Sequence, residues 1–175
     1  IVVIILSLSI YFLFFRSQRE NESTSDAISA IPVDASFILR VLNYHRFSEN
    51  LRNHSHLWES FKNFTSVSKA DSMIAFIDTL ANRSSAFNLL VTVNPVYIST
   101  HMGKDGSHEF LSTANISKEF DKKELTNIVN GFINKGIKIE KYEFEDATVS
   151  MFYDTYKSTE IVSFTLYQGI IICAS

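Results

Sequence analysis

The sequence is poor in cysteine and glycine, and neither sign of charge dominates it. Cys173 is the one cysteine, so an internal disulfide and a cysteine-rich zinc site are excluded, and thiol usage does not reveal the redox compartment. The 5 glycines lack the spacing of a phosphate-binding loop, which argues against nucleotide binding. The 16 basic and 19 acidic residues give a net charge of -3 with no basic stripe, so we expect no nucleic-acid partner.

Catalytic motifs are also missing. No serine lies in a G-x-S-x-G elbow or a comparable arrangement. Within the acidic run at 140–146, Glu143 and Glu145 would project from one strand face and could act as an acid–base pair. However, charges that alternate with Tyr142 and Phe144 are more typical of the solvated side of a half-buried strand.

The histidines include two close pairs. His54 and His56 are two residues apart, a spacing that does not place them on one face of a helix. His101 and His108 flank a predicted hairpin, where they would oppose each other only in a suitable register. Neither pair has a cysteine or an acidic cluster to complete a tetrahedral site. We therefore assign no catalytic, cofactor-binding or metal-binding residue and expect no cofactor.

An apolar run opens the chain. Residues 1–15 read IVVIILSLSIYFLFF and carry no charge, which favours insertion into a bilayer. A hydrocarbon core about 30 Å thick takes roughly 20 helical residues, and residue 1 is not methionine, so we expect further residues upstream. A cleavable signal peptide would need small residues after the apolar run, but large and charged residues follow it here. A buried core helix would lead into a turn, but a polar segment follows instead. We predict a single-pass transmembrane anchor that contacts the lipid bilayer.

Two further segments follow the anchor. Residues 16–30 are rich in Ser, Glu, Asn and Arg without an apolar period, which predicts a flexible tether. Residues 31–175 have the length and pattern of one α+β domain, with a mainly antiparallel sheet and helices packed on one face. The apolar run at 170–173 reads as a buried strand without a following partner, so we expect the natural chain to continue beyond residue 175.

Local patterns give the order of elements in the first half of the domain. Residues 37–42 predict a short strand buried on both sides. Apolar residues at three- and four-residue steps over 47–80 predict several short helices, which end at Asn94-Pro95. Alternation over 96–101 and the glycines of 103–106 predict a β-hairpin.

The second half begins with a capping pattern. Asp121 and Glu124 precede an apolar stripe and predict a helix over 121–136. In segment 137–144, the apolar residues occupy odd positions at first and even positions later. A bulge near Glu140-Lys141 would keep all of them on one face of the sheet, so we predict one there. Segments 148–153, 160–167 and 170–174 predict three more strands, the last two joined by a tight turn at 168–169.

Five phrases occur in a recognisable order: IPVDASFILRVLNY, LWESF, FIDTL, NPVYISTHMGK and FTLYQGIIICAS. Together they resemble the N-terminal part of a family of membrane-anchored bacterial proteins of unknown function, typical of Bacteroidetes. The likeness covers nearly the whole chain. It implies a cell-envelope protein with its domain outside the cytoplasm, whereas Arg16 and Arg19 would by themselves favour the cytoplasmic side. The family has no established activity, so no functional residue is transferred.

Two classes of function remain open from the sequence. The first is a non-enzymatic binding or assembly domain whose partner is an envelope protein or an unidentified ligand. The alternative is a membrane-tethered hydrolase whose remaining active-site residues lie beyond residue 175. A nucleophile motif or acidic residues downstream would favour the enzyme, whereas further copies of the α+β pattern would favour binding.

Overall fold

The structure, a computed structural model, describes residues 26–116, 137–156 and 159–175. These residues form a 3₁₀ helix, four α-helices and seven β-strands. In chain order, they are the 3₁₀ helix Ala27–Ala30, β1 Phe37–Val41, α1 Tyr44–His54, α2 His56–Phe61, α3 Thr65–Arg83, α4 Ser85–Val93, β2 Val96–Met102, β3 His108–Asn115, β4 Ile137–Phe144, β5 Ala147–Asp154, β6 Thr159–Tyr167 and β7 Ile170–Ala174.

The strands of the described residues belong to one sheet with the order β1-β2-β3-β7-β6-β5-β4. Each of the pairings is antiparallel. The predicted α+β class and antiparallel sheet are therefore confirmed. Among the described strands, β1 and β4 form the two edges of the sheet.

Polar residues divide the helical region into separate helices. Ser55 caps α2 and Ser84 caps α4, each by accepting a backbone N–H at 3.1 Å. Helix α4 ends just before Pro95, which disfavours helical continuation, and β2 begins at Val96. The predicted series of helices and the strand after it are confirmed, although α3, with 19 residues, is not short.

The main core lies between the helices and one face of the sheet, and all four helices contribute to it. Phe76 in α3 is buried, and its ring meets that of Phe152 in β5 edge-on with centroids 4.7 Å apart. Phe164 in β6 lies 6.2 Å from the same ring. Because full burial of one such side chain stabilises a fold by about 1.5–3 kcal/mol, this aromatic group holds α3 on the sheet.

A smaller apolar cluster lies on the opposite sheet face, under the 3₁₀ helix. Ala27 is fully buried there, accepts a hydrogen bond from the Thr113 hydroxyl at 2.8 Å and donates its N–H to the Asn115 side chain at 2.8 Å. The small alanine side chain allows the backbone to approach the sheet this closely. Residues Ala27–Ala30 thus belong to the folded part, although the sequence assigned them to the tether at 16–30.

The strand predicted at 37–42 exists, but it is not buried on both sides. Strand β1 is an edge strand in which Phe37 is 56% and Ile38 is 45% exposed. An apolar run indicates a strand, whereas burial depends on what lies on either side. Among the described strands, β1 pairs with β2 and with no other.

The bulge predicted near residues 140–141 is wrong. Strand β4 pairs with β5 in one unbroken register along its whole length. Its odd and even apolar residues therefore lie on opposite faces, so that Ile139 packs against the main core while Phe144 is exposed. A register shift occurs instead in β5, between Phe152 and Tyr153.

Both predicted turns are confirmed. Met102 pairs with His108 across the β2–β3 hairpin, and the glycine-containing segment 103–107 connects them. Between β6 and β7, Gln168 has φ 45° and Gly169 has φ 80°. Two successive positive φ values match the primed turns that join twisted antiparallel strands.

Two predicted segments lie outside the described residues: the helix at 121–136 and the anchor at 1–15. In the part of the chain that the structure describes, no helix combines the length and the apolar character needed to cross a bilayer.

Candidate functional site

Three polar side chains form a Ser–His–Asp array on the sheet face opposite the helices. The Ser99 hydroxyl lies 2.9 Å from Nε2 of His101, and Nδ1 of His101 lies 3.2 Å from a carboxylate oxygen of Asp34. Ser99 and His101 share this face because side chains two apart on a strand point the same way. The loop after the 3₁₀ helix supplies Asp34. With Nδ1 protonated, the order of contacts is that of a serine-hydrolase triad.

The exposure of these residues does not fit that chemistry. Ser99 is 0% exposed, the His101 side chain is 12% exposed and the Asp34 side chain is 71% exposed. A triad needs the opposite order, with a reachable serine and a buried carboxylate. The Ser99 hydroxyl also lies 3.5 Å from the Leu111 carbonyl, a second acceptor within the sheet. The array therefore holds the loop at 32–36 on β2.

A cavity of about 410 Å³ lies beside the array. Its lining includes His101, Glu109, Lys69 and Glu160 and does not include Ser99. Glu109 pairs with His101 across the β2–β3 register. A molecule bound in this cavity would therefore not contact the serine hydroxyl.

A second cavity, of about 440 Å³, lies between α1, α3 and α4. Arg52 on its wall contacts Asp71 at 3.2 Å and Asp78 at 3.3 Å. Ser48 donates a hydrogen bond to Asp78, and the Trp58 indole N–H donates one to Asp71 at 3.0 Å. Each of these carboxylates has two partners, so the network explains how α1 and α2 are fixed to α3.

The histidine pairs do not form a metal site. His108 pairs with Met102, one position after His101, so the two histidine side chains lie on opposite sheet faces. His54 ends α1 and His56 begins α2. Across the three described ranges, no group of three or more His, Cys, Asp or Glu side chains could hold a metal ion.

The acidic run on β4 makes surface contacts. Hydrogen bonds from Lys138 and Tyr142 lower the pKa of Glu140, and the same contact raises the pKa of Tyr142 to about 12. Glu143 accepts a hydrogen bond from Thr148 at 3.0 Å. Glu145 lies in the turn after β4 with φ 52°, so the predicted pair of carboxylates on one strand face is not formed.

In the described part of the sheet, the edge formed by β1 is apolar. Four large apolar residues in and beside this strand are exposed: Val33, Phe37, Ile38 and Leu42. Arg40 is the only charged residue of the strand. The name β1 edge is used below for the side of Phe37–Val41 that pairs with no strand among the described residues.

The opposite edge is different in kind. Strand β4 reads IKIEKYEF and carries two lysines and two glutamates. Charged side chains on an edge strand discourage pairing with another chain, whereas an apolar edge invites it. The β1 edge is therefore better suited than the β4 edge to pair with a further strand.

Comparison with known proteins adds no assignment to these sites, since no family model, curated protein or solved structure matches the chain. Sequence reasoning missed both the Ser–His–Asp array and the β1 edge. The Ser-x-His spacing on an alternating strand was a visible signal for half of the array. Asp34 lies 67 positions from His101, so no local pattern could have connected them.

Proposed function

We propose that this chain is a membrane-anchored, extracytoplasmic domain of the bacterial cell envelope that acts by binding or assembly. The observation that carries the proposal is the apolar β1 edge. Folded proteins usually protect an edge strand with charge, proline or a covering segment. An edge strand that keeps exposed apolar side chains is suited to strand addition, in which another chain extends the sheet.

The membrane part of the proposal rests on residues 1–15. Their uncharged, apolar composition favours a bilayer over water. The likeness to membrane-anchored bacterial proteins supports an outside location. A domain held at a surface by one segment meets its partners laterally, which raises their effective concentration.

The alternative function, a membrane-tethered hydrolase, draws on the contact order of Asp34, His101 and Ser99. Burial of Ser99 argues against it, because an acyl group cannot reach a hydroxyl with 0% exposure. The same residues are explained as a link between the loop at 32–36 and β2.

A fluorophosphonate probe, which labels activated serines covalently, distinguishes the two functions. We expect the folded full chain to remain unlabelled, as do its Ser99→Ala and His101→Ala variants. If a serine is labelled in the folded chain and heat denaturation abolishes that labelling, the binding function is contradicted. Loss of that labelling in both variants would identify the array as catalytic.

A further inference from the structure

The loop at 32–36 leads from the 3₁₀ helix to β1, and the middle of this loop is exposed. At one end Ile31 is buried in the apolar cluster under the 3₁₀ helix, and at the other end the Ser36 N–H donates to a β2 carbonyl at 2.8 Å. Between these two points, the Asp34 side chain reaches back to His101 on the sheet. The contact between Asp34 and His101 therefore helps to hold the exposed part of the loop on β2.

The contacts of the array form a chain from the loop to the sheet. Nδ1 of His101 lies 3.2 Å from the Asp34 carboxylate, and Nε2 lies 2.9 Å from the Ser99 hydroxyl. That hydroxyl, which carries a single proton, also lies 3.5 Å from the Leu111 carbonyl. The number of protons on the imidazole decides which of these contacts are made.

A neutral imidazole does not make all three contacts. With its proton on Nδ1, the ring donates to Asp34 and accepts from Ser99, so the Leu111 carbonyl loses the serine proton. With its proton on Nε2, the ring donates to Ser99, but Nδ1 and the Asp34 carboxylate are then two acceptors that face each other.

An imidazole with two ring protons makes all three contacts. Nδ1–H donates to Asp34, Nε2–H donates to the Ser99 oxygen, and the serine proton is directed to the Leu111 carbonyl. The contact with Asp34 then becomes an ion pair, and hydrogen bonds between charged groups are stronger than neutral ones. Protonation of His101 therefore strengthens the hold on the loop.

Charged groups from three further elements face the same ring. Glu109 of β3 is paired with His101 in the register, and Glu160 of β6 and Lys69 of α3 line the cavity with it. Together with Asp34, these groups are three carboxylates and one ammonium. A positive charge on His101 therefore meets more negative than positive groups.

We propose that the Ser–His–Asp array is a pH-sensitive switch, which holds the loop at 32–36 on β2 while His101 carries two ring protons. Loss of one proton removes the ion pair, and the loop then leaves the sheet more often. Histidine side chains ordinarily titrate near about pH 6.5, so the change is expected between about pH 5 and about pH 8. Pro32 and His101 both line the cavity of about 410 Å³, so movement of the loop also opens this cavity. The switch does not depend on the binding function.

A nitroxide spin label in the loop reports its mobility and does not itself titrate in this range. Val33→Cys supplies the attachment site, because Val33 is exposed and the native Cys173 is buried. In the full chain carrying this label, we expect the ratio of mobile to immobile label at about pH 8 to be about two- to fivefold the ratio at about pH 5. This range corresponds to the loss of one partly exposed ion pair.

Two variants identify the groups responsible. Asp34→Asn keeps the size of the side chain but removes its charge, and His101→Gln removes the titrating ring. In both variants, the label at position 33 is expected to give the same ratio at the two pH values. Because the Asp34 side chain is 71% exposed, Asp34→Asn is expected to fold even if His101→Gln does not.

A label at Val93→Cys is the positional control, since Val93 is an exposed valine at the end of α4. Its ratio is expected to stay constant with pH. Three results would overturn the proposal: no pH response at Val33→Cys, the full response in the presence of Asp34→Asn, or an equal response at Val93→Cys.

Discussion

Cys173 shows how position within the sheet determines the chemistry of one side chain. It lies in β7 between Ser112 of β3 and Phe164 of β6, on the face covered by helices, and it is 1% exposed. Burial raises the pKa of this thiol well above its usual value. An uncharged, inaccessible thiol is a packing residue and not a nucleophile.

This burial gives the stability a pH dependence of known sign. In the unfolded chain the thiol ionises near pH 8.5, while in the folded protein it stays protonated at that pH. Above that pH the unfolded state binds fewer protons than the folded state. The free energy of unfolding therefore falls as pH rises, by up to about 1.4 kcal/mol per pH unit for this group.

Urea unfolding at about pH 7.5 and about pH 9.5 measures this loss. The upper value stays below the usual pKa of tyrosine, so that the buried Tyr44, whose pKa is also raised, contributes little. The Cys173→Ala variant is expected to be less stable at both pH values but to lack the pH-dependent loss. Equal losses in the variant and the unchanged chain would contradict this account.

The strands and helices could be predicted from the sequence wherever local chemistry decides them. Ser84 and Pro95 bound a helix by hydrogen bonding and steric effects that act within a few residues. The turn at Gln168-Gly169 follows from the same kind of local rule. Burial of β1 could not be predicted in this way, because it depends on which strand lies beside it.

The predicted bulge in β4 failed for a related reason. It assumed that Ile139 and Phe144 must lie on one buried face. In the structure, β4 carries apolar residues on both faces, one against the core and one exposed. An apolar residue at the surface is common, so alternation alone does not identify the buried side.

Two phenylalanines in neighbouring strands test the assignment of faces. Phe152 in β5 is fully buried against Phe76, and Phe144 in β4 is 69% exposed. We expect Phe152→Ala to lower the free energy of unfolding by about 3–5 kcal/mol and Phe144→Ala to change it by less than about 0.5 kcal/mol. Denaturant unfolding of the two variants gives both values. Similar losses would mean that β4 is not placed as described.

At the scale of the whole molecule, the fold and the functional proposals have different origins. The antiparallel sheet with its helical layer follows from local patterns of apolar, turn and capping residues in the sequence. The Ser–His–Asp array and the β1 edge depend on contacts between distant segments, since Asp34 meets His101 and β1 pairs with β2 across the whole helical region. Contacts of this kind form the sites, but no short stretch of sequence predicts them.

The membrane location in the proposed function assumes that residues 1–15 hold the chain in a bilayer. Alkaline carbonate extraction of cells that make the full chain tests this assumption. We expect the chain to stay in the membrane pellet, and its Ile4→Arg/Leu6→Arg variant, with two charges inside the apolar run, to move to the supernatant. Protease added outside the inner membrane is expected to degrade the domain of the unchanged chain. Recovery of the unchanged chain in the soluble fraction, or degradation only after the inner membrane is opened, would contradict the account.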